Sequence, residues 1–216
     1  LKGLRFSGSS YLKDIRGSLI LGDDGKLYGM SSDGFGFIDG AIFRINTDGS
    51  ELEIVHKFEK NANPKGSLSK GNDGSLYGMA EFGGKNAKGF IFKLNPITKV
   101  LTVIHDFDEE DGASPRGTLL VQNDERMYGR TREGGEHDNG VIFQINTDGS
   151  NFLKLMDLEH SSKSGSDLSF IGLGNRKPNY LGPKHFEVEE DASAWSISYH
   201  DSFFDDQDET GSLVFE

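Results

Sequence analysis

The chain repeats itself with a period of about 50 residues, and this constrains its architecture more than any other feature. Several residue types recur at offsets of 49 and then 51 residues. The recurring positions are Gly17, Gly66 and Gly117; Leu19, Leu68 and Leu119; Tyr28, Tyr77 and Tyr128; Gly40, Gly89 and Gly140; Ile42, Ile91 and Ile142; Phe43, Phe92 and Phe143; and Asn46, Asn95 and Asn146. So many matches in one register indicate tandem copies of one supersecondary unit, each of which needs its neighbours to bury a core.

Each repeat is predicted to form four short strands, because apolar residues alternate over about four to seven positions between turn-forming clusters. In the first repeat these strands are predicted at 17–21, 26–31, 41–46 and 51–58. Asp-Gly steps such as Asp48-Gly49 supply the positive φ that a tight hairpin needs. Longer glycine-rich loops join the second strand to the third. No stretch shows the 3.6-residue apolar stripe of a helix.

The predicted fold class is therefore all-β, a β-propeller-like array of four-stranded antiparallel blades. A single repeat domain is predicted over 1–216, with blades at about 17–58, 66–107 and 117–158 and a degenerate one at 166–203. The recurring aromatic and aliphatic residues are predicted to form the core between blades. A β-helix or open stack of sheets is the competing architecture, but coils of parallel strands do not need an Asp-Gly hairpin turn twice per repeat.

The two ends of the chain are also in register with the repeats. Residues 1–6 resemble the end of a preceding fourth strand, and residues 211–216 resemble the opening of a next repeat. One interpretation closes a four-bladed ring, with residues 1–6 completing a blade built from 166–200. In the other, residues 195–203 are themselves the outer strand and both ends belong to further blades. The second is favoured, because His200-Asp201-Ser202-Phe203 and the acidic residues after it parallel the segment that starts at His105.

The repeat motif is best preserved at residues 66–107. It reads Gly-x-Leu, Asp-Gly-x-Leu-Tyr-Gly-Met, Gly-Gly, Gly-x-Ile-Phe-x-x-Asn and Val-Ile-His-x-Phe. This run resembles the GloVer tandem repeat of "choice-of-anchor" bacterial surface proteins, clearly over about 15–158 and weakly beyond. The resemblance implies a propeller-like repeat region on exported proteins, often of Bacteroidetes, attached by differing C-terminal sorting or anchoring signals. It implies no established activity, and residues 159–216 depart from the pattern.

Composition narrows the classes of partner. The 216 residues include 23 Lys plus Arg and 35 Asp plus Glu, for a formal net charge of −12. An acidic chain without a basic run is not expected to bind nucleic acid. No apolar stretch approaches the roughly 20 residues of a bilayer-spanning helix, so no direct membrane insertion is expected. The absence of cysteine excludes disulfides, thiolate zinc sites and cysteine nucleophiles.

Catalytic and metal motifs are lacking in the sequence. Neither a Gly-x-Ser-x-Gly nucleophile turn nor a phosphate-binding loop occurs. His56 and His105 share one repeat position, which favours a packing role. The acidic runs at 108–111 and 205–209 offer oxygen ligands for Ca²⁺ but lack EF-hand spacing. We therefore predict no cofactor, with calcium as the alternative, and no pair of glycosidase carboxylates stands out.

Candidate binding residues lie in or beside the loops between second and third strands, where the repeats differ and where function on a rigid scaffold tends to lie. They are Phe35, Phe37, Phe82, Lys85, Asn86, Arg130, Arg132, Glu133 and His137. Aromatic side chains beside Arg and Asn suit a sugar ring or a protein partner.

The predicted function is a non-enzymatic, exported bacterial repeat module that binds a protein or glycan partner at the outer cell surface, or serves as an accessory subunit of a surface complex. One alternative is a polysaccharide-active hydrolase or lyase that uses carboxylates on the loop side. Another is a purely structural spacer, which would bind no partner saturably.

Overall fold

The computed structural model describes residues 12–15, 17–34, 40–58, 62–123, 125–158, 169–171, 195–200 and 210–215. Within these residues every regular element is a β-strand, and no helix is long and apolar enough to cross a membrane. The chain divides into two compact units, Leu1–Glu159 and His160–Glu216. The single repeat domain expected over 1–216 stays a prediction.

Sheet A is built from the first repeat. Its strands are β1 (Leu12–Ile15), β2 (Ile20–Leu21), β3 (Leu27–Gly34), β4 (Ala41–Ile45) and β5 (Glu53–Lys57). β1 and β2 pair with opposite ends of β3, and β4 and β5 follow in order. All pairs are antiparallel, so β1 and β2 are two halves of one interrupted first strand.

Sheets B and C repeat this plan. Sheet B contains β6 (Ser69–Lys70), β7 (Leu76–Ala80), β8 (Phe90–Leu94) and β9 (Leu101–Asp106), and sheet C contains β10 (Ala113–Val121), β11 (Arg126–Glu133), β12 (Val141–Asn146) and β13 (Leu153–Asp157). Each sheet is antiparallel with its strands in sequence order. The predicted all-β fold of four-stranded antiparallel units is confirmed for these repeats.

The first strand is interrupted at Gly17 in sheet A and at Gly66 in sheet B, and in sheet C its register with β11 shifts across Gly117, a feature that the sequence patterns did not predict. Gly17, Gly66 and Gly117 have φ of +82°, +101° and +88°. A Cβ on Gly17 would lie 2.4 Å from the Gly66 carbonyl oxygen, and a Cβ on Gly66 would lie 2.0 Å from that of Gly117. The first strands of successive sheets therefore lie directly against one another, which only glycine permits.

Two hydrophobic clusters fill the spaces between the sheets. Between sheets A and B they include Tyr28, Met30, Ile42, Phe58, Leu68, Leu76, Phe90, Phe92 and Leu94. Between sheets B and C they include Tyr77, Met79, Ile91, Phe107, Leu119, Met127, Val141, Phe143 and Ile145. The recurring tyrosines reach back to the hairpin turns, because the Tyr28 hydroxyl donates to Asp24 Oδ2 at 2.8 Å. The core thus lies between the sheets, as expected from the repeated aromatic residues.

The second unit contains sheet D, made of β14 (Ser169–Ile171), β15 (Trp195–His200) and β16 (Thr210–Phe215) in that order. β15 pairs with β16 along its full length, from Trp195↔Phe215 to His200↔Thr210. This differs from the predicted assignment of 195–203 as an outer strand and of 211–216 as the opening of another blade. The likeness of residues 211–216 to the opening of a repeat does not determine strand pairing, which depends on the whole hydrogen-bonded ladder. The terminal residues 1–6 lie outside the described residues.

Candidate functional site

The loops that follow the second strands of sheets B and C lie beside the segments that link one sheet to the next. The Phe82 amide donates to the Ala62 carbonyl at 2.9 Å, and the Gly135 amide donates to the Glu109 carbonyl at 2.8 Å. In sheets B and C these loops and the linkers therefore share one side. We call this side the loop face; it comprises residues 62–65, 81–89, 107–116 and 132–140.

A carboxylate from the fourth strand braces each of these loops at the same repeat position. Asp106 Oδ1 accepts a hydrogen bond from the Lys85 amide at 2.7 Å, and Asp157 Oδ1 accepts one from the Glu136 amide at 2.7 Å. Burial opposes ionisation of Asp157, but the hydrogen bonds from Lys154 and Glu136 outweigh burial and lower the pKa of this carboxyl. The loops are thus held in a defined backbone conformation.

Three cations converge on one buried carboxylate where sheets B and C meet. Glu81 directly follows β7 and its side chain is 1% exposed. Its Oε1 accepts from Arg116 Nε at 2.7 Å and lies 3.9 Å from Arg132 Nη1. Its Oε2 lies 2.8 Å from Lys65 Nζ and accepts from Asn63 Nδ2 at 2.6 Å. We call Lys65, Arg116 and Arg132 the cation cluster.

The repeat geometry explains why these cations meet. Lys65 and Arg116 each directly precede the recurring glycine of the first strand, as Arg16 does in the sequence of the first repeat. Because the first strands of sheets B and C touch at these glycines, the residues just before them are brought close. Arg132 lies near the end of β11, the strand that pairs with β10. The cluster is therefore a consequence of stacking two sheets.

Near the cation cluster, one repeat position has a left-handed backbone in all three sheets. The residue at this position forms a hydrogen bond with another polar side chain in each sheet. Asp14, Asn63 and Ser114 share one repeat position, with φ of 50°, 48° and 54°. Asp14 Oδ2 accepts from Ser32 Oγ at 2.5 Å, and Ser114 Oγ donates to Glu133 Oε2 at 3.1 Å. The backbone is the same in all three repeats, whereas the side-chain chemistry differs. This is typical of a repeated scaffold that carries a variable site.

The cation cluster is a local excess of positive charge within an otherwise acidic loop face. Three cations lie beside two carboxylates, Glu81 and Glu133, in a chain of net charge −12. Arg132 is 37% exposed and lies 3.5 Å from Glu133 Oε1, so its guanidinium retains donors for a ligand. Glu81 already accepts from several donors and is not placed to abstract a proton. The arrangement is therefore suited to holding an anionic group.

Of the predicted binding residues in the first two repeats, those of the second repeat are described and are exposed to solvent. Phe35 and Phe37 lie outside the described residues. Phe82 is 38% exposed, and Lys85 and Asn86 are exposed in the loop after β7. The Asn86 side chain donates to the Phe107 carbonyl at 3.1 Å, so it also braces the loop.

The predicted residues of the third repeat are only partly brought together. Arg130 lies on β11 and is 8% exposed, so it belongs to the interior rather than to the loop surface. Arg132 and Glu133 are neighbours in the cluster. His137 is exposed in the loop between β11 and β12.

Sequence reasoning did not select Glu81, Lys65 or Arg116 as site residues. The sequence does contain one signal for these cations, a basic residue before each recurring glycine. A residue type that recurs at one repeat position suggests a packing role, however, unless the contact between first strands is known. The burial of Glu81 depends on the same contact between first strands. No local sequence pattern therefore predicts it.

Neither the acidic run nor the recurrent histidines build a metal site in the described part of the chain, where no group of three or more His, Asp or Glu side chains is arranged to hold an ion. Asp108 Oδ1 instead accepts from the amides of Glu110 and Asp111, at 2.9 and 3.1 Å. His105 stacks on the Phe152 ring, with centroids 4.2 Å apart, and its Nε2 lies 2.8 Å from Asp111 Oδ2. The run at 205–209 lies outside the described residues.

Comparison with known families gives one match. A family model described as a Gloeobacter/Verrucomicrobia repeat matches residues 15–174, which is most of the chain. Among curated proteins, none matches the chain significantly.

Solved structures share the fold at low sequence identity. A protein of unknown function from Dyadobacter fermentans aligns with a TM-score of 0.56 and 12% identity, over 95% of this chain and 54% of its own. A protein assigned as TolB from Agrobacterium tumefaciens gives 0.50 and 14%, over 86% and 55%. An oligogalacturonate lyase from Vibrio parahaemolyticus gives 0.50 and 15%, over 88% and 49%. The chain spans about half the length of these structures, and the likeness shows a β-propeller-type fold without indicating an activity.

Proposed function

The chain belongs to the Gloeobacter/Verrucomicrobia repeat family, and we propose that it is a non-enzymatic, exported module that binds a partner through its loop face. The partner is a protein or a glycan at the bacterial cell surface, and the chain serves there as a binding or accessory subunit. The observation that carries this proposal is the convergence of Lys65, Arg116 and Arg132 where sheets B and C meet.

Sheets A, B and C are proposed to be consecutive blades of a propeller. The contact of their first strands at Gly17, Gly66 and Gly117 supports this arrangement, because first strands line the axis of a propeller. The side-chain hydrogen bonds across the sheets follow the same order. Ser67 Oγ accepts from the Ser18 amide at 2.7 Å, and Thr118 Oγ1 accepts from the Ser67 amide at 3.2 Å.

The chemistry of the cluster supports recognition of an anionic group on the partner. Guanidinium groups bind carboxylate, sulfate or phosphate oxygens through paired N–H donors. Arg132 offers such donors at the surface, while Glu81 holds Arg116 and Lys65 in place behind it. A site supported in this way binds with little loss of side-chain freedom.

The proposal is tested by measuring saturable binding to immobilised polygalacturonate, alginate, polyglutamate and the neutral glucan pullulan. We expect binding to an acidic polymer and at least a tenfold weaker affinity for Arg132→Ala, about 1.4 kcal/mol. Lys26→Ala is the matched control, because Lys26 pairs with Glu51 at the hairpin end of sheet A and its loss changes net charge equally. Absence of binding to every polymer, or equal weakening by both variants, would contradict the proposal.

The enzymatic alternative, a polysaccharide-active hydrolase or lyase that uses loop-face carboxylates, is separated by the same polymers. The non-enzymatic proposal expects neither reducing ends nor unsaturated products from any of them, with or without added Ca²⁺ or Mn²⁺. Product release that is lost in Glu133→Gln but retained in Glu51→Gln would instead establish catalysis on the loop face.

A further inference from the structure

A row of large apolar side chains is exposed on the first strand of sheet A. Ile15, Leu19 and Leu21 are 39%, 47% and 53% exposed. Ile15 and Leu21 lie opposite Ser31 and Leu27, which face the same side of β3, and the Leu19 side chain lies over Gly29 between them. Isolated exposed apolar residues are common, but an aligned row of three on one strand is typical of an interaction surface.

The same row is covered in the other two repeats. Leu68 and Leu119, the equivalents of Leu19, are 3% and 2% exposed. Leu68 packs with Tyr28 and Met30 of the preceding sheet A. In the same way, Leu119 packs with residues of sheet B. The position is therefore built to face the sheet that comes before it.

The equivalents of Ile15 show the same direction of packing. Pro64 and Pro115 are buried. A Cβ on Gly40 of sheet A would lie 2.6 Å from Pro64 Cδ, and a Cβ on Gly89 of sheet B would lie 2.4 Å from Pro115 Cδ. Each proline is thus pressed against a loop glycine of the preceding sheet, whereas Ile15 is exposed.

The residues that cover the first strand of the next sheet are of the same four types in sheets A and B. Sheet A presents Tyr28, Met30, Ile42 and Phe58 to sheet B, and sheet B presents Tyr77, Met79, Ile91 and Phe107 to sheet C. On the other side of sheet A, the described residues form a smaller cluster, with Leu12, Ala41 and Phe43 buried beside Leu52 and Ile54. The next layer of the array would complete it.

We propose that the face of sheet A bearing Ile15, Leu19 and Leu21 docks one further sheet of this same repeat, preceding sheet A in the order of the array and presenting the Tyr, Met, Ile and Phe set of sheets A and B. The argument is continuity with two interfaces of identical design, because each repeat contacts only its neighbours and its exposed end needs a cap or another repeat. This surface is separate from the loop face, so it stands whether or not the loop face binds an anionic partner.

The test exploits the absence of cysteine from the chain. An extended protein carries a copy of residues 62–111 in place of residues 1–11, which sets the added sheet in register before Leu12. Leu19→Cys is introduced into both the parent and the extended chain, and its maleimide labelling rate is measured. Leu68→Cys, at the equivalent covered position, is the protected control.

Docking predicts that labelling of Leu19→Cys is at least tenfold slower in the extended chain than in the parent. It also predicts that the unfolding midpoint rises by about 4 °C or more. A second extended chain with Met79→Asp and Ile91→Asp in the added copy alone should lose both effects. Equal labelling in parent and extended chain would overturn the proposal, and so would protection in the parent that grows with its concentration, since a second copy would then be the occupant.

A separate measurement on the parent chain does not depend on folding of the extension. Leu19→Asp should leave the unfolding midpoint of the parent within about 1 °C, whereas Leu68→Asp should lower it strongly, because only Leu68 is covered. An equal loss in both variants would show that the face of sheet A is already covered within the chain, which would overturn the proposal.

Discussion

Gly66 lies where the first strands of two sheets touch, and two separate requirements act on it. Its φ of +101° lies in the region that side-chain-bearing residues avoid, and a Cβ there would lie 2.0 Å from the Gly117 carbonyl oxygen. Gly25 has φ +75°, but a Cβ added there would meet nothing within 4 Å. These two residues allow backbone strain to be separated from steric contact.

We predict that Gly25→Ala lowers the free energy of unfolding by about 1 kcal/mol, the usual cost of a left-handed alanine. Gly66→Ala should lower it by about 3 kcal/mol or more, because steric overlap with sheet C adds to that strain. Urea denaturation of both variants measures the difference. Equal losses would mean that the sheets separate without cost at this point.

Glu81 is the other residue whose environment depends on contact between sheets. It is 1% exposed and holds Arg116 and Lys65 by ion pairs. Glu81→Ala leaves these cations without a carboxylate, so we predict a loss of about 3 kcal/mol in the free energy of unfolding. Glu51→Ala removes a carboxylate that is 70% exposed and paired with Lys26, and should change stability little. Comparable losses in the two variants would contradict a structural role for the buried pair.

At the scale of elements, the hairpin turns are the best predicted parts of the molecule. In sheet A the expected strands at 26–31 and 41–46 correspond to β3 and β4. Asp-Gly steps act locally, through positive φ and side-chain hydrogen bonds such as Ser50 amide to Asp48 Oδ1 at 2.9 Å. The interrupted first strand was missed, because its break at Gly17 exists only where another sheet approaches.

The turn between β6 and β7 provides a pH-dependent prediction. Partial burial of Asp73 opposes its ionisation, but hydrogen bonds from Lys93 and Ser75 lower its pKa to about 2. Because this lies below the ordinary value of 3.8, ionised Asp73 stabilises the fold above about pH 4 and loses that effect as the pH falls towards 2. The free energy difference between the wild type and Asp73→Asn should therefore be largest and constant above about pH 5 and disappear below about pH 2. Parallel stability curves over this range would contradict it.

At the scale of the whole molecule, stability resides between the sheets rather than within them. A single four-stranded sheet cannot bury the aromatic residues on its faces, and the two clusters that do so each draw on two successive repeats. The leucine at this repeat position therefore contributes more to the free energy of unfolding where a neighbouring sheet covers it. Leu19, Leu68 and Leu119 form a matched series.

We predict that Leu68→Ala and Leu119→Ala each lower the free energy of unfolding by about 3 kcal/mol, because both leave a cavity between sheets. Leu19→Ala should cost less than about 1 kcal/mol, since half of this side chain remains in water. Chemical denaturation of the three variants measures the series. A uniform loss would mean that burial of the leucine is set within its own sheet.

The amino-acid sequence alone determined the repeat period, the antiparallel four-stranded unit and the turn positions, because these depend on local alternation of apolar residues and on glycine conformation. Contact between successive repeats decided the rest. The irregularity of the first strands at Gly17, Gly66 and Gly117, the burial of Glu81 and the grouping of Lys65 with Arg116 and Arg132 all arise where two sheets meet. Residues about 50 positions apart become neighbours only when the sheets stack, so no local pattern distinguishes a cation that packs from one that helps to form a site.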